Sequence, residues 1–126
     1  MKVETQIDTK NNLRIHTITE KFNLAELLKV LASIYDSSEQ NLEMEVLWDL
    51  REAEGLGALE TLHLDKLVNL VSQKWEASKP RRAALVVSRL VDFGLARMYE
   101  MRMESLSKNE IRVFNDFEEA MHWLCL

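Results

Sequence analysis

The sequence predicts an α/β fold: a mixed, mainly parallel sheet of about five strands with helices packed on it. Strand and helix patterns alternate after an initial hairpin, in the order β-β-α-β-α-β-α-β-α, which is typical of parallel strands joined by helices. The segment Arg82–Val87 contains the unbroken apolar run AALVV, typical of a strand buried on both faces. With 126 residues the chain has the usual size of one domain, so residues 1–126 are predicted to form a single unit.

The first third of the chain predicts a hairpin followed by a helix. Apolar and polar residues alternate on both sides of the turn sequence Lys10–Asn12, which indicates a β-hairpin over residues 2–19. Asn23 is a good capping residue and Glu26 follows three positions later, so a helix begins there. Apolar residues at helical spacing continue that helix to about Tyr35.

The middle third predicts a strand, a loop and a second helix. Residues 44–50 (MEVLWDL) have the pattern of a strand, and residues 51–60, which include two glycines, indicate a loop or irregular turn. Apolar residues at helical spacing predict a helix over residues 62–77, and Pro80 ends it.

The last third predicts a strand and two helices after the buried apolar run. A third helix is expected over residues 89–105 and a short strand over residues 111–114. Asn115 or Asp116 caps a final helix, whose first turn is acidic and therefore suits the helix dipole.

Four segments carry a resemblance to a known family: the strands Ala83–Ser88 (AALVVS) and Val46–Leu50 (VLWDL), the helix Leu90–Glu100 (LVDFGLARMYE) and the end Ile111–Leu124 (IRVFNDFEEAMHWL). Their sequence and the element order resemble the SpoIIAA-like (STAS/SEC14-type) bacterial family, whose fold is that of the anti-sigma-factor antagonists. The resemblance implies a binding or regulatory module. Partner proteins, nucleotides or lipids are the ligands that it implies.

One segment departs from the pattern of that family. Regulatory STAS domains carry an Asp-Ser-Ser-Gly-like segment after the central strand, and its serine is phosphorylated by a partner kinase. The matching stretch here, Arg51–Glu60 (REAEGLGALE), contains no serine or threonine, and its acidic side chains would repel a phosphate. The phosphorylation switch is therefore not expected in this chain.

Composition and charge exclude several classes of function. The net charge of -5 disfavours nucleic acids and anionic membranes as partners. Cys125 is the single cysteine, so neither an internal disulfide nor a cysteine metal cage can form. No segment approaches the roughly 20 apolar residues of a membrane span, and the N-terminus does not resemble a signal peptide. A cytoplasmic protein is therefore expected.

Asp49 is the polar residue with the most informative predicted position. It lies at the carboxyl end of a central strand, the edge where ligands bind in open α/β sheets. Its carboxylate can hold a ligand hydroxyl or a cation there. The simpler alternative, which we favour, is that it caps the following loop by accepting hydrogen bonds from nearby backbone N–H groups.

Two pairs of residues on helices are weaker candidates for chemistry. His63 with Asp65 can hold a metal ion or act as a base, but an exposed histidine in the first helical turn is the simpler explanation. His122 and Cys125 can form a nucleophile pair, but Cys125 more simply packs or frays at the end of the last helix.

Two loop segments have weak phosphate-binding signals. The segment Gly55–Gly57 lacks the lysine and hydroxyl residue of a nucleotide loop, so a simple turn is favoured. Lys79, Arg81 and Arg82 form a basic cluster that can bind phosphate or an acidic partner. A solvated connection is the simpler interpretation.

The third helix is the most unusual feature because it is apolar on more than one side. Gly94 in its interior costs about 1 kcal/mol relative to alanine, which indicates close approach of another backbone or a ligand. The side chains around it predict a hydrophobic pocket or a dimer face, although a core helix is the simpler alternative. With Asp49, the candidate surface comprises Phe93, Gly94, Leu95, Met98, Tyr99 and Met101.

Three functional hypotheses follow. The first, which we favour, is a non-catalytic STAS-like module that binds a protein partner or a second copy of itself. The second is a carrier or sensor of a small apolar or lipid-like ligand in a pocket beside the third helix, with Trp48 and Trp75 as further wall residues. The third is an enzyme, but the sequence presents no recognisable set of nucleophile, base and oxyanion site. No catalytic residue, cofactor or metal ligand is therefore assigned.

Overall fold

The fold is described from a computed structural model, which covers residues 1–36, 44–54, 56, 59, 61–75, 82–106 and 110–125. Ten helices and strands follow one another in these residues. They are β1 (Lys2–Asp8), β2 (Leu13–Lys21), α1 (Leu24–Asp36), β3 (Glu45–Asp49), β4 (Ala53–Glu54), α2 (Thr61–Trp75), β5 (Arg82–Val86), α3 (Leu90–Leu106), β6 (Glu110–Phe114) and α4 (Phe117–Leu124).

The strands form the mixed, mainly parallel sheet that the sequence predicts. The strand order is β1-β2-β3-β5-β6, with β4 attached to β2. Only β1 and β2 pair antiparallel, as a hairpin, whereas the other pairs described are parallel. Parallel neighbours need helical crossovers, and α1, α2 and α3 lie in the connections between parallel strands. The predicted α/β architecture is therefore confirmed.

The strand β4 corrects one part of the prediction. It lies within residues 51–60, which the sequence indicated to be a loop, and it pairs with Glu20 and Lys21 at the end of β2. The backbone N–H of Phe22 also donates to the carbonyl of Glu54 at 2.9 Å. Two residues have no periodicity of their own, so this pairing depends on the long β2 strand extending beyond its partner β3.

The two faces of the sheet are covered unequally. On one face, α1, α2 and α3 pack on alternating strand residues that include Ile18, Val46 and Leu85. On the other face, α4 packs through Trp123 and its neighbours on a second set that includes Leu47. Because successive strand residues point to opposite faces, both sets come from the same strands. This explains the continuous apolar run of β5.

The predicted helix caps are present. The side chain of Asn23 accepts a hydrogen bond from the backbone N–H of Glu26 at 2.9 Å, which starts α1. Of the two predicted caps for the last helix, Asp116 is the one used, and it accepts from the N–H groups of Glu118 and Glu119. These bonds satisfy N–H groups that have no partner within the helix.

Candidate functional site

An apolar cavity lies between the sheet and the three helices that cover one of its faces. Its volume is about 90 Å³ and it is partly open to solvent. The sheet side of its lining consists of Ile18, Trp48, Ala83, Leu85 and Ile111. The helical side consists of Leu27 and Leu31 of α1, Leu64, Leu67 and Val71 of α2, and Leu95, Ala96 and Tyr99 of α3. Phe22, Leu50, Leu56 and Leu59 complete it.

Two small side chains help to explain why the cavity is present. Ala83 on β5 and Ala96 on α3 both line the cavity and are almost fully buried. Most other lining positions carry leucine or an aromatic residue, whereas these two carry a single methyl group. Larger side chains there would occupy the space, so these two alanines are natural positions at which to test it.

The chemistry of the lining is uniform. No described lining residue carries a charge, and only Trp48 and Tyr99 have a polar side-chain atom. A charged group placed inside would lose its hydration without finding an opposite charge, and this costs several kcal/mol. The cavity therefore favours uncharged hydrocarbon groups.

A buried histidine lies beside the cavity wall on the same face of the sheet. The ring of His16 stacks against Trp48 with centroids 4.5 Å apart, and its Nδ1 hydrogen-bonds with the Thr5 hydroxyl at 2.8 Å. Its Nε2 is buried and has no hydrogen-bond partner among the described residues. Burial, assisted by the positive charge of Arg14, lowers the pKa of His16 to about 4. The ring is therefore neutral at pH 7, so it adds no charge next to Trp48.

The structure divides the predicted third-helix residues between two surfaces. Leu95 and Tyr99 line the cavity, and Phe93 is partly buried against the same core. Met98 and Met101 point away from the core and are 40% and 65% exposed. Different residues of α3 thus contribute to the cavity lining and to an exposed apolar surface.

No described element of this chain makes the close backbone approach that the sequence indicated at Gly94. A Cβ atom added at Gly94 would meet no described atom within 4 Å apart from the backbone of its own helix, because this residue faces solvent. Gly94 lies instead on an exposed apolar stripe of α3 that also contains Leu90, Val91, Met98 and Met101.

Asp49 has the capping role that the sequence analysis favoured. Its carboxylate accepts from the backbone N–H of Arg51 at 3.2 Å and forms two 2.9 Å bonds with the Arg51 guanidinium. Burial alone would raise the pKa of Asp49, but the hydrogen bonds and charge of Arg51 outweigh it and lower the pKa. Since Asp49 lies on the α4 face of the sheet, it does not join the cavity.

The weaker candidates do not form a common site in the described residues. Asp65 pairs with Arg102 at 2.6 Å, and His122 and Cys125 are both exposed near the end of α4. Gly55, Gly57, Lys79 and Arg81 lie outside the described residues. Arg82 is described, and its guanidinium donates to the backbone carbonyl of Trp123 at 2.9 Å.

Two buried acidic residues on α3 were not predicted from the sequence. Asp92 is 2% exposed and pairs with Arg89, while Glu100 is 8% exposed and pairs with Arg97. Each pair joins an arginine to an acid three residues later, a spacing at which helical side chains meet. That spacing could have indicated the two ion pairs from the sequence, but it does not show which acidic side chains are buried.

The described residues form neither a metal-binding cluster nor a membrane-spanning helix. In the ranges that the structure describes, no three histidine, cysteine, aspartate or glutamate side chains are placed to hold a metal ion. None of the described helices has the length and apolar character needed to cross a membrane.

The fold is SpoIIAA-like. It is similar to the crystal structure of an uncharacterised DUF3478-family protein from Shewanella loihica PV-4, which is described as having a SpoIIAA-like fold. The two share 16% sequence identity with a TM-score of 0.61, over 98% of this chain and 93% of that one. No family model and no curated protein matches the sequence. The fold expected from the sequence resemblance is thus confirmed.

Proposed function

We propose that this protein is a non-catalytic binding module that holds a small, uncharged apolar ligand in the cavity between its sheet and α1, α2 and α3. The observation that carries the proposal is the lining of that cavity, which is apolar and includes Leu95 and Tyr99 of the predicted wall. Removing apolar surface from water supplies about 25 cal/mol per Å², so such a lining attracts hydrocarbon without needing a specific polar contact.

The volume of the cavity defines the size class of the ligand. At about 90 Å³ it is smaller than the roughly 150 Å³ cavity that is known to hold benzene. A small hydrocarbon, or one end of a longer chain whose polar end stays at the opening, suits this volume. A longer ligand would have to move the covering helices apart.

Native mass spectrometry tests the proposal. We expect protein purified from cells without denaturation to carry an added mass that organic extraction removes. Ala96→Leu should lack this mass because the larger side chain occupies the cavity. Met101→Leu is the matched control, since Met101 is on the exposed side of the same helix. An adduct equally present on Ala96→Leu, or absent from all three proteins, would contradict the proposal.

A second candidate is the binding of a protein partner, which the exposed stripe of α3 favours. Leu90 and Val91 are 89% and 62% exposed, and with Met98 and Met101 they present apolar surface opposite the core. The open surface at Gly94 allows a partner helix to approach closely.

A photo-crosslinking residue at Met101 should capture one defined protein in cells, whereas the same residue at Glu118 of α4 should not. Equal capture at both positions would contradict this candidate.

A further inference from the structure

The first strand of the sheet has an outer edge that no described strand covers. β1 is at the end of the strand order and pairs, among the described strands, only with β2. Its sequence, KVETQID, contains no proline or glycine that would disrupt further pairing. Most of its side chains are exposed, and Ile7 is an apolar residue with 51% of its surface accessible. An edge of this kind presents unpaired backbone N–H and C=O groups to another strand.

The sequence of β1 is complementary to itself when it is read in the antiparallel direction. With Thr5 opposite the same residue of a second strand, Lys2 lies opposite Asp8, and Val3 lies opposite Ile7. The remaining pair is Glu4 with Gln6. Every charged residue therefore meets either an opposite charge or a neutral amide, and the apolar residues meet each other. Such directly opposed pairs stabilise antiparallel strands, whereas like charges would destabilise them.

We propose that β1 pairs antiparallel with β1 of a second copy of this chain, about a two-fold axis at Thr5, and joins two sheets into one. A two-fold axis requires the same patch on both copies, so each favourable pair occurs twice. The acidic net charge of the chain would oppose association, but the two Lys2–Asp8 pairs place opposite charges at the contact.

The pairing also explains the exposed isoleucine. Strand alternation places Val3, Thr5 and Ile7 on the face of the sheet that carries α1, where Val3 is packed against the core. In the pair, Val3 of the second copy lies next to Ile7 on that same face. The contact thus covers apolar surface that the single chain leaves in water.

Charge changes at Gln6 test the pairing, because this exposed residue lies opposite Glu4 of the other copy. Gln6→Glu places like charges together twice, and Gln6→Lys places opposite charges together twice. We expect the dimer dissociation constant, measured by sedimentation equilibrium, to rise roughly 2- to 30-fold for the first and to fall by a similar factor for the second. Thermal unfolding of dilute samples controls for effects on the single chain.

A disulfide test locates the two-fold axis. Directly opposed residues of antiparallel strands have Cα atoms about 4.5–5.5 Å apart, within the range that a disulfide spans. In a Cys125→Ser background, Thr5→Cys should therefore form a covalent dimer on mild oxidation much faster than Gln6→Cys, whose opposite residue is Glu4.

A chain that stays monomeric at millimolar concentration overturns the proposal. So does a dimer that Gln6 changes leave unaffected and Met98→Glu disrupts, since that places the contact on α3.

Discussion

Replacing Trp123 with alanine is expected to lower the free energy of unfolding by about 3–5 kcal/mol, the usual range for a large buried aromatic residue. Trp123 is 8% exposed and belongs to the cluster that packs α4 on the sheet. Its ring is 5.7 Å from that of Phe114, and the guanidinium groups of Arg82 and Arg112 lie 5.6 and 5.5 Å from its centre. The substitution removes all of these contacts.

Urea unfolding at pH 7 measures the loss, and Trp123→Phe is the matched control. Phenylalanine keeps an aromatic ring over the same face of the sheet, so it should retain most of the stability, with a loss of roughly 1–2 kcal/mol. Since α4 is the described helix on this face, a loss below 1 kcal/mol for Trp123→Ala would mean that it contributes little to the fold.

Acidification from pH 7 to pH 4.5 is expected to destabilise the protein by about 2–3 kcal/mol through His16 alone. Burial lowers the pKa of His16 to about 4 from a usual value of 6.5. Between these values the unfolded chain binds a proton that the folded chain does not. The stability that neutral His16 contributes is therefore fully present above pH 6.5. It is lost progressively as the pH falls below 6.5, and the loss is complete once the pH has fallen through the folded pKa near 4.

The control for this prediction is His16→Phe, which keeps a ring beside Trp48 but cannot titrate. Its urea midpoint should change much less than that of the wild type between pH 6.5 and pH 4.5. The lowered pKa values of Asp8 and Asp49 affect stability below this window, because their usual value is 3.8. Parallel pH profiles for the two proteins would show that His16 is not held neutral in the fold.

Local patterns were sufficient to predict most of the fold. Period-two alternation identified the hairpin and β3, helical spacing identified the helices, and the run AALVV identified β5 as buried on both sides. These features depend on residues near each other in the chain. The strand β4 could not be predicted because its two residues gain their conformation from pairing with Glu20 and Lys21, more than thirty positions away.

The candidate site was only partly predictable for a related reason. The apolar residues on several sides of α3 identified Leu95 and Tyr99, but the sequence did not separate them from the exposed Met98 and Met101. The cavity depends on how three helices rest on one face of the sheet, which no local pattern specifies. His16 was detectable in principle, since the hairpin register places it opposite Thr5 and on the same face as Ile18.

A titration with 1-hexanol, followed through the methyl groups of leucine, isoleucine and valine by NMR, measures whether the cavity binds an apolar ligand. We expect saturable shifts at Leu27, Leu64 and Leu85, which line the cavity from α1, α2 and the sheet. Ala96→Leu should abolish these shifts while raising the unfolding free energy by about 1–2 kcal/mol, because it fills the space with buried carbon atoms. Shifts that spread over the exposed stripe of α3, or that persist unchanged in Ala96→Leu, would contradict the claim that the cavity is the ligand site.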